Sequence, residues 1–242
     1  MMKIVQAKNY QDMSSIACQI ILEKIKSAPS LTLGLATGST PKGLYDCLAA
    51  DYKENRTSYK NIHTANLDEY IGLPKEDKNS YHTFMNENLF KHIDIPLSQT
   101  YIPNGLAADL TEECRRYDRQ IKMLGGIDLQ VLGIGQNGHI GFNEPGTPFS
   151  SRTHVVDLDK STIEANSRFF SSIEEVPNQA ITMGIASILD SREILLLASG
   201  KSKAEAVYHL LNGKPDEKFP ASALQLHPQV TIVADAEALQ KV

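Results

Sequence analysis

The chain has 242 residues, with 24 Lys or Arg against 29 Asp or Glu, so its formal net charge at pH 7 is −5. This length predicts one large domain over residues 1–242, and the acidic balance argues against a nucleic-acid-binding protein, which usually carries a clustered basic excess. A small anionic ligand is still allowed, because a helix N-terminus and one or two cations can hold it.

The cysteines and the apolar runs indicate the cellular environment of the chain. The three cysteines, Cys18, Cys47 and Cys114, are odd in number and widely spaced, which argues against a disulfide framework or a zinc site and predicts a reducing, cytoplasmic environment. The first thirty residues lack the features of a signal peptide. The apolar runs are too short to cross a bilayer, so we expect no membrane association.

Short apolar runs alternate with segments of helical period through the first half of the chain. Residues 2–6, 31–35 and 63–67 are predicted strands. Between and after them, residues 9–26, 41–52 and 79–90 are predicted helices. The pair Thr40-Pro41 suits the cap and first position of the second helix.

The same alternation continues through the second half. A charged amphipathic helix is predicted over 110–124, ending at Gly125-Gly126. Further strands are predicted over 127–134, 155–158, 193–198 and 230–234, with a helix over 201–211. Strands that alternate with helices predict an α/β fold with a mainly parallel sheet covered on both faces. Ligands of such sheets bind beyond the carboxyl ends of the strands.

The turn after the second predicted strand, residues 34–43, is rich in small residues. Ser39 and Thr40 supply hydroxyls beside the free N–H groups of a helix N-terminus, which is a common phosphate-binding arrangement. The turn lacks the P-loop pattern. The alternative is an ordinary capped strand–helix turn.

Asp68 follows the third predicted strand, in the run Leu67-Asp68-Glu69-Tyr70. A carboxylate at the end of a strand in a cleft is able to act as a general base. The alternative is a solvated or helix-capping acid, and the local sequence alone favours that alternative.

The segment 133–146 contains the pattern Gly-x-Gly-x-x-Gly after a strand. A dinucleotide-binding fingerprint must open a helix, and the glycines and prolines that follow here allow none. A constrained loop carrying Asn137, His139 and Glu144 is predicted instead, and its imidazole and carboxylate suit acid–base chemistry. The alternative is a loop histidine bound to backbone carbonyls. Metal binding is not expected, because no second His or Cys lies nearby at ligand spacing.

Three cations stand near predicted element ends: Arg168, Lys201 and Lys203. A lysine at a helix N-terminus opposes the helix dipole, which a bound anion would explain. Taken alone, however, these residues are typical of a solvated surface.

Several of these segments together resemble the glucosamine-6-phosphate deaminase family. The resemblance covers nearly the whole chain with its motifs in the family's order: Leu67 to Tyr70 with Gly72-Leu73-Pro74, residues 135–146, Asn166 to Phe170, and Leu224 to Pro228. It implies a Rossmann-like three-layer α/β/α fold. It also implies conversion of D-glucosamine 6-phosphate and water to D-fructose 6-phosphate and ammonia, with no metal or organic cofactor.

The resemblance assigns the catalytic roles residue by residue. Asp68 matches the general base that moves a proton from C2 to C1 of the open-chain sugar. His139 matches the residue that opens the sugar ring, and Glu144 matches the carboxylate that orients it. Asn137 stands where many members have Asp, and an amide can orient an imidazole but cannot accept its proton.

The resemblance also implies a phosphate site and a lid. Ser39, Thr40, Arg168 and Lys203 match the residues that bind the substrate phosphate, so Lys203 becomes a ligand while Lys201 stays without a role. The stretch from about 158 to 178 resembles the mobile lid of the family.

Regulation is expected to differ from that of the long members of the family. Those are hexamers activated by N-acetylglucosamine 6-phosphate through a Ser/Arg/Lys cluster, which matches Thr147, His154 and Val156 here. Because the cationic anchors are missing, we expect a non-allosteric monomer with hyperbolic kinetics.

Two proteins of other functional classes share parts of this pattern. A 6-phosphogluconolactonase on a related fold would carry a different histidine loop, without the Phe142-Asn143-Glu144-Pro145 run, and would release no ammonia. A non-catalytic sugar-phosphate sensor would keep the phosphate residues but lose Asp68 or His139, and both are present.

Overall fold

The computed structural model describes residues 2–167, 170 and 172–242. The first half of the chain contains β1 (Lys3–Ala7), α1 (Tyr10–Ser27), β2 (Leu31–Leu35), α2 (Lys42–Asn55), β3 (Ile62–Asn66), β4 (Asp68–Tyr70), α3 (Tyr81–Asn88), β5 (Thr100–Tyr101) and α4 (Leu110–Met123). The second half contains β6 (Leu129–Leu132), β7 (His154–Asp157), α5 (Lys160–Ser167), β8 (Gln179–Thr182), α6 (Ile185–Leu189), β9 (Glu193–Ala198), α7 (Ala204–Asn212) and β10 (Val230–Asp235).

Local sequence explains most of the helix ends. The Asn9 side chain accepts a hydrogen bond from the backbone N–H of Asp12 at 3.0 Å and so begins α1. Asp109 does the same for Glu112 at 2.9 Å at the start of α4. The expected cap of α2 is wrong, because the capping position is Pro41 and no side chain caps this helix. The Thr40 hydroxyl is therefore not used as a helix cap.

The central sheet has seven strands in the order β1-β10-β9-β6-β2-β3-β5, and every pair is parallel. From β2 the chain proceeds outward through β3 to β5, then returns to place β6 on the other side of β2. The strand order thus reverses between β2 and β6, and ligands of such sheets bind at this switch point.

Apolar side chains cover both faces of this sheet. The helices α1, α2 and α3 bury one face in a cluster with β2 and β9, and α4, α6 and α7 bury the other. Every residue of β2 is consequently buried, as expected for an inner strand of a parallel sheet. The predicted Rossmann-like α/β/α sandwich with a mainly parallel sheet is confirmed.

A second sheet was not predicted from the sequence. It is antiparallel, has three strands in the order β4-β8-β7, and pairs Asp68 with Thr182. Only Leu67 separates β3 from β4, and its carbonyl accepts from the N–H of Met183 at 2.7 Å. Strand β7 overlaps the predicted strand 155–158, but β4 and β8 were not predicted, because strands this short carry little periodicity and their pairing depends on distant segments.

In the part of the chain that the structure describes, no helix has both the length and the apolar character that crossing a membrane requires. The three cysteines carry free thiols, with Cys18 and Cys114 buried and Cys47 half-buried.

Candidate active site

The predicted site residues follow four strands of the central sheet. The turn 36–41 follows β2, Asp68 follows β3, the loop 133–146 follows β6, and Lys203 follows β9. Since β9, β6, β2 and β3 are neighbours in that order, all four segments lie at one edge of the sheet, around the switch point.

The segment 133–146 forms a loop, as predicted, and no helix occurs anywhere from residue 133 to 153. Gly135 is required here because a Cβ at this position would lie 2.3 Å from the ring of His139. Gly141 has a φ of +59°, and a Cβ there would lie 2.9 Å from Thr182 Oγ1 and 3.7 Å from Asp68 Oδ2. The loop that carries His139 therefore passes directly beside Asp68.

Asp68 is buried, with 6% of its surface exposed. Burial, followed by the negative charge of Glu69, raises the pKa of Asp68 to about 8. Among the described residues, no hydrogen bond reaches its carboxylate. A carboxyl group with such a pKa is able both to accept and to release a proton near neutral pH.

Glu69 is a buried carboxylate that sequence reasoning did not single out. Its oxygens accept from the backbone N–H groups of Tyr70 and Tyr81 at 2.9 Å and of His82 at 3.1 Å. The His82 Nδ1 lies 2.9 Å from Glu69 Oε2. Glu69 thus ties β4 to the N-terminus of α3, where a negative charge is favoured. The sequence offers no signal for this link, because Tyr81 and His82 lie 12 and 13 residues away.

Glu144 is the centre of the hydrogen bonds in the loop 133–146. Its Oε2 accepts from Asn137 Nδ2 at 2.7 Å and lies 3.5 Å from His139 Nδ1. Its Oε1 accepts from Thr162 Oγ1 at 2.7 Å. The Asn137 Oδ1 accepts from the backbone N–H of His139 at 3.1 Å. The structure therefore brings the three predicted loop residues together and adds Thr162, for which the sequence carries no signal.

The Glu144 carboxylate is ionised in this setting. Burial pushes the pKa of Glu144 upward, but His139, Thr162 and Asn137 together more than offset burial, so the pKa lies below its usual value. The buried Nδ1 of His139 has no hydrogen-bond partner among the described residues. An ionised carboxylate beside an imidazole is an arrangement that can orient the ring and move protons.

The predicted phosphate residues lie on both sides of β6. Ser39 is exposed and Thr40 half-buried at the N-terminus of α2, and a Cβ at Gly133 would lie 4.0 Å from Thr40 Oγ1. Lys203 is half-buried at the start of α7. Arg168 lies outside the described residues. Among the described residues, no group of three or more His, Cys, Asp or Glu is placed to hold a metal ion.

Comparison with known proteins places the chain in one family. The family model for glucosamine-6-phosphate isomerases/6-phosphogluconolactonase matches residues 6–233. The glucosamine-6-phosphate deaminase of Halalkalibacterium halodurans is 60% identical over 241 residues, covering 100% of this chain and 98% of the relative. Glucosamine-6-phosphate deaminase 1 of Bacillus subtilis is 55% identical over 237 residues, covering 98% of each chain.

Solved structures agree with this placement. A monomeric glucosamine-6-phosphate deaminase superposes with a TM-score of 0.98 at 54% identity, covering 100% of both chains. The 6-phosphogluconolactonase of Trypanosoma brucei has a TM-score of 0.82 at 20% identity, covering 100% of this chain and 99% of the other, which shows a shared fold alone. The chain therefore belongs to the glucosamine-6-phosphate deaminase family.

Proposed function

We propose that this protein is a glucosamine-6-phosphate deaminase, which converts D-glucosamine 6-phosphate and water to D-fructose 6-phosphate and ammonia. The observation that carries the proposal is the buried Asp68 carboxylate, whose pKa is raised to about 8, beside the loop that presents His139 and Glu144. Relatives that match the chain along its whole length carry the same activity in their names.

Asp68 is the general base of this proposal. It removes the C2 proton of the open-chain aldose to form an enolamine, and then returns a proton to C1. The product is a ketose imine, which water hydrolyses at C2 as ammonia leaves. A raised pKa suits this role, because the same carboxyl group must hold the proton between the two steps.

His139, Glu144 and Asn137 open the sugar ring. His139 takes the proton of the C1 hydroxyl and delivers a proton to O5, while Glu144 orients the imidazole. Asn137 bridges the two through its hydrogen bonds to Glu144 Oε2 and to the His139 backbone. The Asn137 amide cannot accept a proton. Glu144 is therefore the only one of these two partners of His139 that can accept one.

Ser39, Thr40, Arg168 and Lys203 bind the substrate phosphate. The first two lie at the N-terminus of the fourteen-residue helix α2, where N–H groups and the helix dipole favour an anion. The phosphate is remote from C1 and C2, so its binding energy positions the reacting carbons against Asp68. The segment from about 158 to 178 serves as a lid, as the resemblance implies.

The enzyme works as a cytoplasmic, non-allosteric monomer. Two of the positions that match the effector site of long members make local contacts here: Thr147 Oγ1 donates to the Glu144 carbonyl at 2.7 Å, and His154 Nδ1 lies 2.8 Å from the Arg152 carbonyl. The third is Val156, which is apolar. The high-identity structural relative is also named as a monomer.

The direct test measures ammonia and fructose 6-phosphate released from glucosamine 6-phosphate by the parent and by Asp68→Asn. We expect equal amounts of both products from the parent and a large loss of rate in the variant. A parent that binds the sugar phosphate but releases no ammonia would contradict the proposal. A sigmoidal rate curve that N-acetylglucosamine 6-phosphate makes hyperbolic would contradict the absence of allostery.

A further inference from the structure

Helix α5 holds the Glu144 carboxylate from outside the loop 133–146. Thr162 lies in this helix, has 8% of its surface exposed, and donates its hydroxyl to Glu144 Oε1 at 2.7 Å. Among the described residues, no other side chain or N–H group donates to Oε1. The two carboxylate oxygens therefore have different partners: Thr162 holds Oε1, whereas Asn137 and His139 face Oε2.

This division fixes the orientation of the carboxylate. A buried carboxylate oxygen without a donor is costly, so a side chain that loses one partner turns toward another. One such group is the His139 ring, whose buried Nδ1 has no hydrogen-bond partner among the described residues and lies 3.5 Å from Oε2. The Thr162 hydroxyl thus keeps Glu144 from rotating out of the position in which Oε2 faces both Asn137 and His139.

Helix α5 is itself placed against the rest of the site. Ile163 packs in a small apolar cluster with Tyr70 and Phe142, whose ring centroids are 5.9 Å apart. Tyr70 belongs to the strand that begins with Asp68, and Phe142 belongs to the loop that carries His139. The packing of α5 on these two segments brings Thr162 within hydrogen-bond distance of Glu144.

We propose that Thr162 is a positioning residue for ring opening, acting on the substrate through Glu144 and His139. The inference rests on the proposed function, since it concerns the ring-opening step of that reaction. Removal of the hydroxyl slows ring opening but does not lower the affinity of the site for a sugar phosphate that is already in the open-chain form.

The test compares the parent with Thr162→Val, which keeps the size of the side chain but lacks the hydroxyl, and with Thr162→Ser, which keeps the hydroxyl. We expect Thr162→Val to lower kcat about tenfold, the scale of a lost hydrogen bond to a buried charge. Its inhibition constant for the reduced, open-chain alditol of glucosamine 6-phosphate stays within about twofold of the parent value. Thr162→Ser restores kcat to within about threefold of the parent.

A matched control separates this role from general stability. Thr153 is another buried threonine whose hydroxyl donates to a carboxylate, that of Asp118 at 2.5 Å, outside the site. Thr153→Val should lower the melting temperature and leave kcat within about twofold of the parent.

Three outcomes would overturn the inference. Thr162→Val could retain the parent kcat, Thr162→Ser could be as slow as Thr162→Val, or kcat and the affinity for the open-chain alditol could fall together. A parent that releases no ammonia would refute the proposed function, and the inference would fall with it. Parental activity therefore distinguishes the two failures.

Discussion

The two carboxyl groups of the candidate site are more buried than the described residues proposed to bind phosphate. Asp68 and Glu144 are 6% and 8% exposed, whereas Ser39 is exposed and Lys203 half-buried. The difference follows from the chemistry that each set performs. Burial and the charge of Glu69 disfavour the charged form of Asp68, so this carboxyl can hold a proton near neutral pH, whereas the buried Glu144 stays ionised because its hydrogen-bond partners offset its burial. A group that binds phosphate needs only its charge or its hydroxyl, and both work at the surface.

The largest expected effect at the buried carboxyl groups comes from Asp68→Asn. We expect kcat to fall by about a thousandfold, because loss of a general base typically costs 10²–10⁴-fold. Ammonia release at saturating substrate measures this directly. The matched control is Asp118→Asn, a half-buried carboxyl outside the site, which should keep kcat near the parent value. A variant of Asp68 with a tenth of the parent kcat would remove it from the role of base.

Burial of Asp68 should also appear as a dependence of stability on pH. Its pKa is about 8 in the folded protein against 3.8 for an ordinary aspartate, so between these pH values the folded chain holds a proton that the unfolded chain has lost. Stability from this group is therefore present at low pH and falls by about 1.4 kcal/mol for each pH unit up to about 8.

Urea unfolding of the parent and of Asp68→Asn at several pH values measures this effect. The free energy of unfolding of Asp68→Asn should increase relative to that of the parent as pH rises from 5 to 8, because the variant carries no buried charge. Parallel stability curves for the two proteins would show that Asp68 is not held protonated. The kcat of the parent should also rise as pH approaches about 8, because Asp68 ionises there.

Substitution of a proposed phosphate-binding residue should change KM more than kcat. If Lys203 binds the substrate phosphate as proposed, Lys203→Ala removes one charge-assisted contact, and we expect KM to rise about tenfold while kcat changes less than about threefold. The melting temperature should stay close to that of the parent, since the side chain is only half-buried. The exposed Lys201→Ala serves as the control, with no change in KM. An equal increase in KM in both lysine variants would indicate general electrostatic attraction and not a specific contact.

The smallest expected effect comes from Asn137→Asp. This change would set a second carboxylate where the amide now donates to Glu144 Oε2 at 2.7 Å, so the pair should bind a proton at higher pH than Glu144 does alone. Because the pKa is raised in the folded state, the shared proton favours folding at low pH, and this contribution is lost as pH rises. We expect a change of a few-fold in kcat with a shifted pH–rate profile. An unchanged profile would show that the loop separates the two carboxylates.

The agreement between sequence and structure is strongest where one segment contains its own signal. Helix α1 (Tyr10–Ser27) lies within one residue of the predicted range 9–26, and β2 and β9 coincide with the predicted runs 31–35 and 193–198. The rejection of a dinucleotide site holds because the glycine-rich segment opens no helix, and residues 133–153 contain none. The prediction fails at β4 and β8, two short strands whose pairing joins Asp68 to Thr182 across more than a hundred residues.

By itself, the sequence determined the alternation of strands and helices, and with it the order in which Asp68, the His139 loop and Lys203 reach one edge of a parallel sheet. These properties depend on periodicity and turn chemistry within single segments. Only the tertiary structure decided the raised pKa of Asp68, the anchoring of Glu69 on α3, and the hydrogen bond from Thr162 to Glu144. Burial and hydrogen bonding depend on which distant segments pack against a side chain, and no local pattern in the chain specifies those neighbours.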